Sequence, residues 1–107
     1  MNFPDDADGN ALRRIAEHSD LSNPMTIDFM IDVPSERAGH DVARCASARG
    51  YSTRVEYDEE SERWTCYCTK SMLATYDAIV AAQTELGILS DEFGGCSDGW
   101  GTFGNSG

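Results

Sequence analysis

Positive charge is scarce in this chain. Eight Lys plus Arg stand against 19 Asp plus Glu, 8 − 19 = −11 over 107 residues, and a surface of that sign repels phosphate. Direct binding to nucleic acid or to an anionic membrane is therefore disfavoured, and a protein with a basic segment is the partner such a surface attracts. Long apolar runs are missing too. No stretch approaches the roughly 20 residues a bilayer span requires, and Met1-Asn2-Phe3-Pro4-Asp5-Asp6 lacks the positive and apolar regions of a signal peptide. The expected address is cytoplasmic. With no low-complexity tract, internal repeat or long Pro/Gly/Ser linker, residues 1–107 are expected to form one domain, its core spanning residues 8–103. Whether it is a monomer or a homodimer is left open.

Cysteine is limited to Cys45, Cys66, Cys68 and Cys96, and without an export signal these are expected as reduced thiols, with no structural disulfide. Paired C-x-x-C knuckles are absent. Cys66 and Cys68, two apart on a strand, have backbones about 6.6 Å apart on one face, whereas two thiolates on a tetrahedral zinc at ~2.3 Å per bond nearly touch. Core thiols that pack as small hydrophobes are expected, and no metal or other cofactor. His18 and His40 lie in no recognisable nucleophile signature, in polar helical surroundings that suit surface histidines. No catalytic residue is assigned, and an enzyme using Cys66, Cys68 or His40 is the least supported reading.

What is present is an order of elements. Asp5, Asp6 and Asp8 precede a short first helix in which Leu12, Ile15 and Ala16 recur at helical spacing. Met25, Ile27, Phe29, Ile31 and Val33 then alternate with polar residues as a strand with one buried face. Ser35 is the expected N-cap of a helix with an Ala38, Val42, Cys45, Ala46 stripe, stopped at Gly50. Residues 51–57 and 63–69 form an antiparallel hairpin about the acidic turn Asp58-Glu59-Glu60-Ser61. The longest helix runs from Ser71 to Gly87, and residues 93–103 supply a last strand despite their glycines. The result is α+β: a ferredoxin-like βαββαβ sandwich, its antiparallel sheet carrying two helices on one face, with the first and third strands central.

Asp28 and Asp32 share the polar face of the first strand about 13 Å apart, too far to flank a glycosidic bond. With Glu59 and Glu60 they suggest an acidic surface. Glycines on both sides of Trp100 leave two readings of Asp98-Gly99-Trp100-Gly101: Trp100 plugs the core while the glycines form a bulge, or Trp100 is an exposed anchor for a partner.

The segment Ser97-Asp98-Gly99-Trp100-Gly101-Thr102-Phe103, following a helix that ends near Gly87, resembles the Asp-Gly-Trp-Gly-Thr-aromatic ending of the RraB family, the ribonuclease E inhibitors also called regulator of ribonuclease activity B. The resemblance extends from Asp8 to Phe103, by pattern rather than identity outside that ending. It implies a ferredoxin-like, cytoplasmic, non-enzymatic protein that binds the C-terminal scaffold of ribonuclease E and restrains RNA processing and decay through the degradosome. Family members often carry a longer acidic tail, whereas this sequence closes on Gly104-Asn105-Ser106-Gly107. The expected contact residues are Asp28, Asp32, Glu59, Glu60, Asp98, Gly99, Trp100 and Gly101. The alternative is a stand-alone module of the same fold with another basic target, such as an immunity-type protein.

Overall fold

The computed structural model describes residues 4–104. The starting Met1-Asn2-Phe3 and the closing Asn105-Ser106-Gly107 lie outside the described residues. Three helices and four strands follow in the order α1 (Ala7–Ala16), β1 (Met25–Val33), α2 (Glu36–Ser47), β2 (Ser52–Asp58), β3 (Arg63–Met72), α3 (Tyr76–Asp91) and β4 (Cys96–Thr102). The strands form one antiparallel sheet in the order β2-β3-β1-β4, with the first and third strands in its centre.

Period-2 patterning of β1 decides which face is covered. Met25, Ile27, Phe29, Ile31 and Val33 are all buried, and each large apolar side chain so removed from water contributes about 1.5–3 kcal/mol. Cys66 and Cys68 of β3, opposite Ile31 and Phe29, face the same way. Val42 and Ala46 of α2 and Ile79, Ala82 and Leu86 of α3 close this core, which Leu12 of α1 joins from its end. The other face of the sheet carries no helix among the described residues.

Local chemistry sets the helix starts. Asp6, Ser35 and Thr75 each sit in extended backbone and accept the amide N–H three residues on, from Gly9, Ala38 and Ala78. Several boundaries differ from the sequence reading. α1 starts before Ala11, at Ala7, because Asp6 rather than a later residue is its cap. β3 takes Lys70, left between elements above, and Ser71 and Met72, assigned above to the following helix, because Met72 pairs with Met25 and the nine-residue β1 carries the ladder that far. Thr75 then caps α3. At its other end α3 runs through Gly87, beside which a Cβ would meet nothing within 4 Å. The glycine that stops it is Gly94, at φ 78°, where the amides of Phe93 and Gly95 both bond back to the Ser90 carbonyl. A helix-interior glycine costs only about 1 kcal/mol against alanine, so either glycine was compatible with the sequence pattern.

β4 is shorter than expected and bulged. Ile31 faces Ser97 and Phe29 faces Trp100, leaving Asp98 and Gly99 both opposite Met30. Gly99 takes φ 93°, a left-handed conformation that glycine adopts without strain.

Candidate functional site

The expected contact residues fall on two sides of the sheet. Asp28 and Asp32 lie on the face without helices, half-buried, and Asp98 and Gly99 stand in the bulge at its edge. Glu59 and Glu60 are exposed in the β2–β3 turn. Gly101 pairs with Asp28. Trp100, by contrast, faces the helix-covered side opposite Phe29, half-buried and packed on the core.

The open face is not the uniformly acidic surface that Asp28 and Asp32 suggested. Arg63 grips Asp32 with two N–H groups, the Nε contact at 2.8 Å, a bidentate geometry that fixes both side chains. The hydrogen bonds it donates to Asp32 hold the Arg63 guanidinium above its ordinary value. Asp28 accepts the Thr69 hydroxyl. Arg54 pairs with Glu56 and also lies 4.1 Å above the centre of the Tyr67 ring. Of the expected contact residues, Glu59, Glu60 and Asp98 are the acids without an ion pair among the described residues.

A second constellation joins α1, α3 and β4. The Trp100 indole Nε1–H donates to Asp8 Oδ1 at 2.9 Å, and the Gln83 amide donates to the other oxygen, Oδ2, at 3.1 Å. Two residues earlier, Asp6 Oδ2 accepts the Tyr76 hydroxyl at 2.6 Å, while its Oδ1 caps α1. The Tyr76 and Gly9 bonds hold the Asp6 carboxyl below its ordinary range, and the same bond raises the Tyr76 phenol. Asp6, Asp8, Tyr76 and Gln83 were absent from the sequence-based set. Their only signal was a cluster of acids before a helix, which reads as helix-dipole chemistry.

Cys66 and Cys68 are fully buried, with sulfurs 3.9 Å apart. That separation is close to the spacing in a two-thiolate metal site, so backbone spacing did not exclude one. Among the described residues, however, no group of three or more His, Cys, Asp or Glu could hold a metal. The hydrogen bond its S–H makes toward Cys66 and burial both push the Cys68 thiol up, away from the reactive thiolate. Cys45 is half-buried and Cys96 exposed, so the expectation of core thiols does not extend to these two. His40 pairs with Glu36 at 3.5 Å, both exposed.

The family described as regulator of ribonuclease activity B, RraB, matches residues 5–102. The chain belongs to the RraB family. Comparison with curated proteins found no match. The RraB description is that of a regulator of ribonuclease activity rather than of a catalyst. Most of the residues that carry the RraB ending have structural tasks here: Asp98 and Gly99 form the bulge, the half-buried Trp100 packs on the rim of the core and hydrogen-bonds to Asp8 of α1, and Thr102 donates its hydroxyl to the Thr26 carbonyl at 2.6 Å. Among the described residues, no helix is long and apolar enough to cross a membrane.

Proposed function

We propose that this RraB-family chain is a non-enzymatic, cytoplasmic regulator that binds ribonuclease E through a basic segment of its C-terminal scaffold and thereby restrains RNA processing and decay. The strand order β2-β3-β1-β4, with helices on one face, supports reading the domain as a ferredoxin-like split βαβ sandwich whose open face and β2–β3 turn remain accessible. The single observation that carries the functional reading is the family match over residues 5–102. The net charge of −11 and the unpaired Glu59, Glu60 and Asp98 support the choice of a basic partner, since such charges accelerate encounter and set orientation more than they add affinity. Binding then acts by occupying or reshaping the scaffold, without chemistry at the regulator.

Calorimetric titration with the host ribonuclease E C-terminal region at two salt concentrations tests this. Saturable binding that weakens with salt, and weakens again in a Glu59→Lys, Glu60→Lys, Asp98→Lys variant, is expected. Absence of binding at both salts overturns the assignment of ribonuclease E as target. Binding untouched by the three reversals overturns the electrostatic part.

A further inference from the structure

A groove of about 330 Å³ runs between α1 and the end of β4. Ile15 and Arg14 form its helical wall with His18 just beyond, and Trp100, Gly101 and Phe103 form the other. Three of its features together bear on what it can bind. Phe103 is fully exposed beside the half-buried Trp100, giving an apolar lining that water covers unfavourably. A Cβ at Gly101 would meet nothing within 4 Å, so no neighbouring atom of the fold requires glycine there, and the backbone stays open to close approach. Arg14, like Arg37 on α2, has no ion-pair partner among the described residues, whereas Arg44, Arg49, Arg54 and Arg63 are each paired with a carboxylate; of the two, only Arg14 lines an apolar groove.

An unpaired guanidinium beside an aromatic groove, in a chain of net charge −11, is complementary to a carboxylate. β4 also ends the sheet, so alternate backbone N–H and C=O groups along it point away from β1 and can pair with an added strand. We propose that this groove binds an extended peptide segment of a protein partner in which a carboxylate adjoins a bulky apolar side chain. The peptide backbone runs along β4, the apolar side chain enters between Ile15 and Trp100, and the carboxylate meets Arg14. A polyanion such as RNA would meet the same guanidinium, but the net charge repels its many phosphates, while a short peptide brings only one or two charges. This surface takes a ligand of opposite charge to the basic segment considered above and does not depend on that reading.

The test uses the full chain and fluorescent octapeptides with a central Leu or Phe flanked by Asp or Glu, against matched peptides flanked by Lys. Anisotropy titrations are expected to show saturable binding of the acidic set, weakened roughly tenfold or more by Arg14→Glu, as for loss of a charge-assisted hydrogen bond. Phe103→Ser should weaken it as well, while Arg37→Glu, on α2, should leave it unchanged. Amide chemical-shift changes should map to residues 11–18 and 96–104. Equal binding of acidic and basic peptides, indifference to Arg14→Glu, shifts mapping elsewhere, or no binding by any acidic peptide each overturns the proposal. So does concentration-dependent self-association that shifts the same amides, which would make a second copy of this chain the occupant.

Discussion

Asp8 and Trp100, 92 positions apart, are joined by a 2.9 Å hydrogen bond from the indole Nε1–H to Oδ1. With the Gln83 amide on the other oxygen, this one carboxylate ties the first helix to both α3 and β4. The N-terminal helix is thereby an integral wall of the domain, and it also builds one side of the α1–β4 groove.

Replacing Asp8 by Ala leaves the indole N–H and the Gln83 amide without their partner. A loss of about 1–3 kcal/mol is expected, with faster hydrogen exchange across Ala7–Ala16 and a red-shifted tryptophan emission. Emission and exchange indistinguishable from the parent would show that Leu12 burial alone holds α1.

Glycines 87 and 94 should respond in opposite directions. Gly87→Ala lies within α3 with open space around it and should stabilise by about 0.5–1 kcal/mol. Gly94→Ala forces a side chain into φ 78° and brings its Cβ to 3.3 Å from Pro34 Cγ, so it should destabilise. Denaturant midpoints for the pair decide the matter, and a stabilising Gly94→Ala would contradict a helix that ends there.

Gly39 on α2 faces the sheet so closely that a Cβ would lie 2.7 Å from Val55 Cγ1. Valine is stiff about χ1 and cannot swing clear, so Gly39→Ala is expected to cost about 1–3 kcal/mol despite its better helix propensity. In a double-mutant cycle Val55→Ala should recover part of that loss. Strict additivity of the two changes would refute the contact.

Two groups predict opposite ends of the pH profile. Asp6 is held below its ordinary value by Tyr76 and the Gly9 amide. Its contribution is therefore present above the unfolded value of 3.8 and lost as pH falls through the lower folded one. Tyr51 is pushed up to about 12 by burial and by Glu85. The unfolded phenol ionises near 10 while the folded one stays protonated, so stability declines between 10 and about 12. Thermal melts across both ranges should lose the acid limb in part in Asp6→Asn and the alkaline limb in part in Tyr51→Phe. Unchanged limbs would remove both assignments.

Thiol accessibility gives a simpler check. Cys96 should react with a thiol reagent at once and Cys45 more slowly. Cys66 and Cys68 should react only through opening of the core, slower by roughly 10³-fold or more for a domain of ordinary stability. Rapid labelling of all four would mean that the β1–β3 core opens readily.

Much of the architecture was set by chemistry that acts over a few residues. The strict alternation from Met25 to Val33 fixed the bounds and buried face of β1, the Ser35 cap began α2, and the short turn after Asp58 joined a hairpin, because periodicity and caps are local properties. Element order and handedness then placed β1 and β3 centrally. The ending at Asp98 to Thr102 carried the family, because a positive-φ glycine beside a tryptophan that packs on the core makes a distinctive spacing. Tertiary structure alone decided the rest. Nothing near Met72 says that a partner 47 positions earlier will extend its strand, and nothing near Asp8 points to Gln83 or Trp100. Arg63 sits in sequence beside an acidic turn, yet it neutralises Asp32 across the sheet. Helix periods and strand alternation are written in neighbouring residues. Ion pairs, carboxylate bridges and grooves form between segments that only the folded chain brings together.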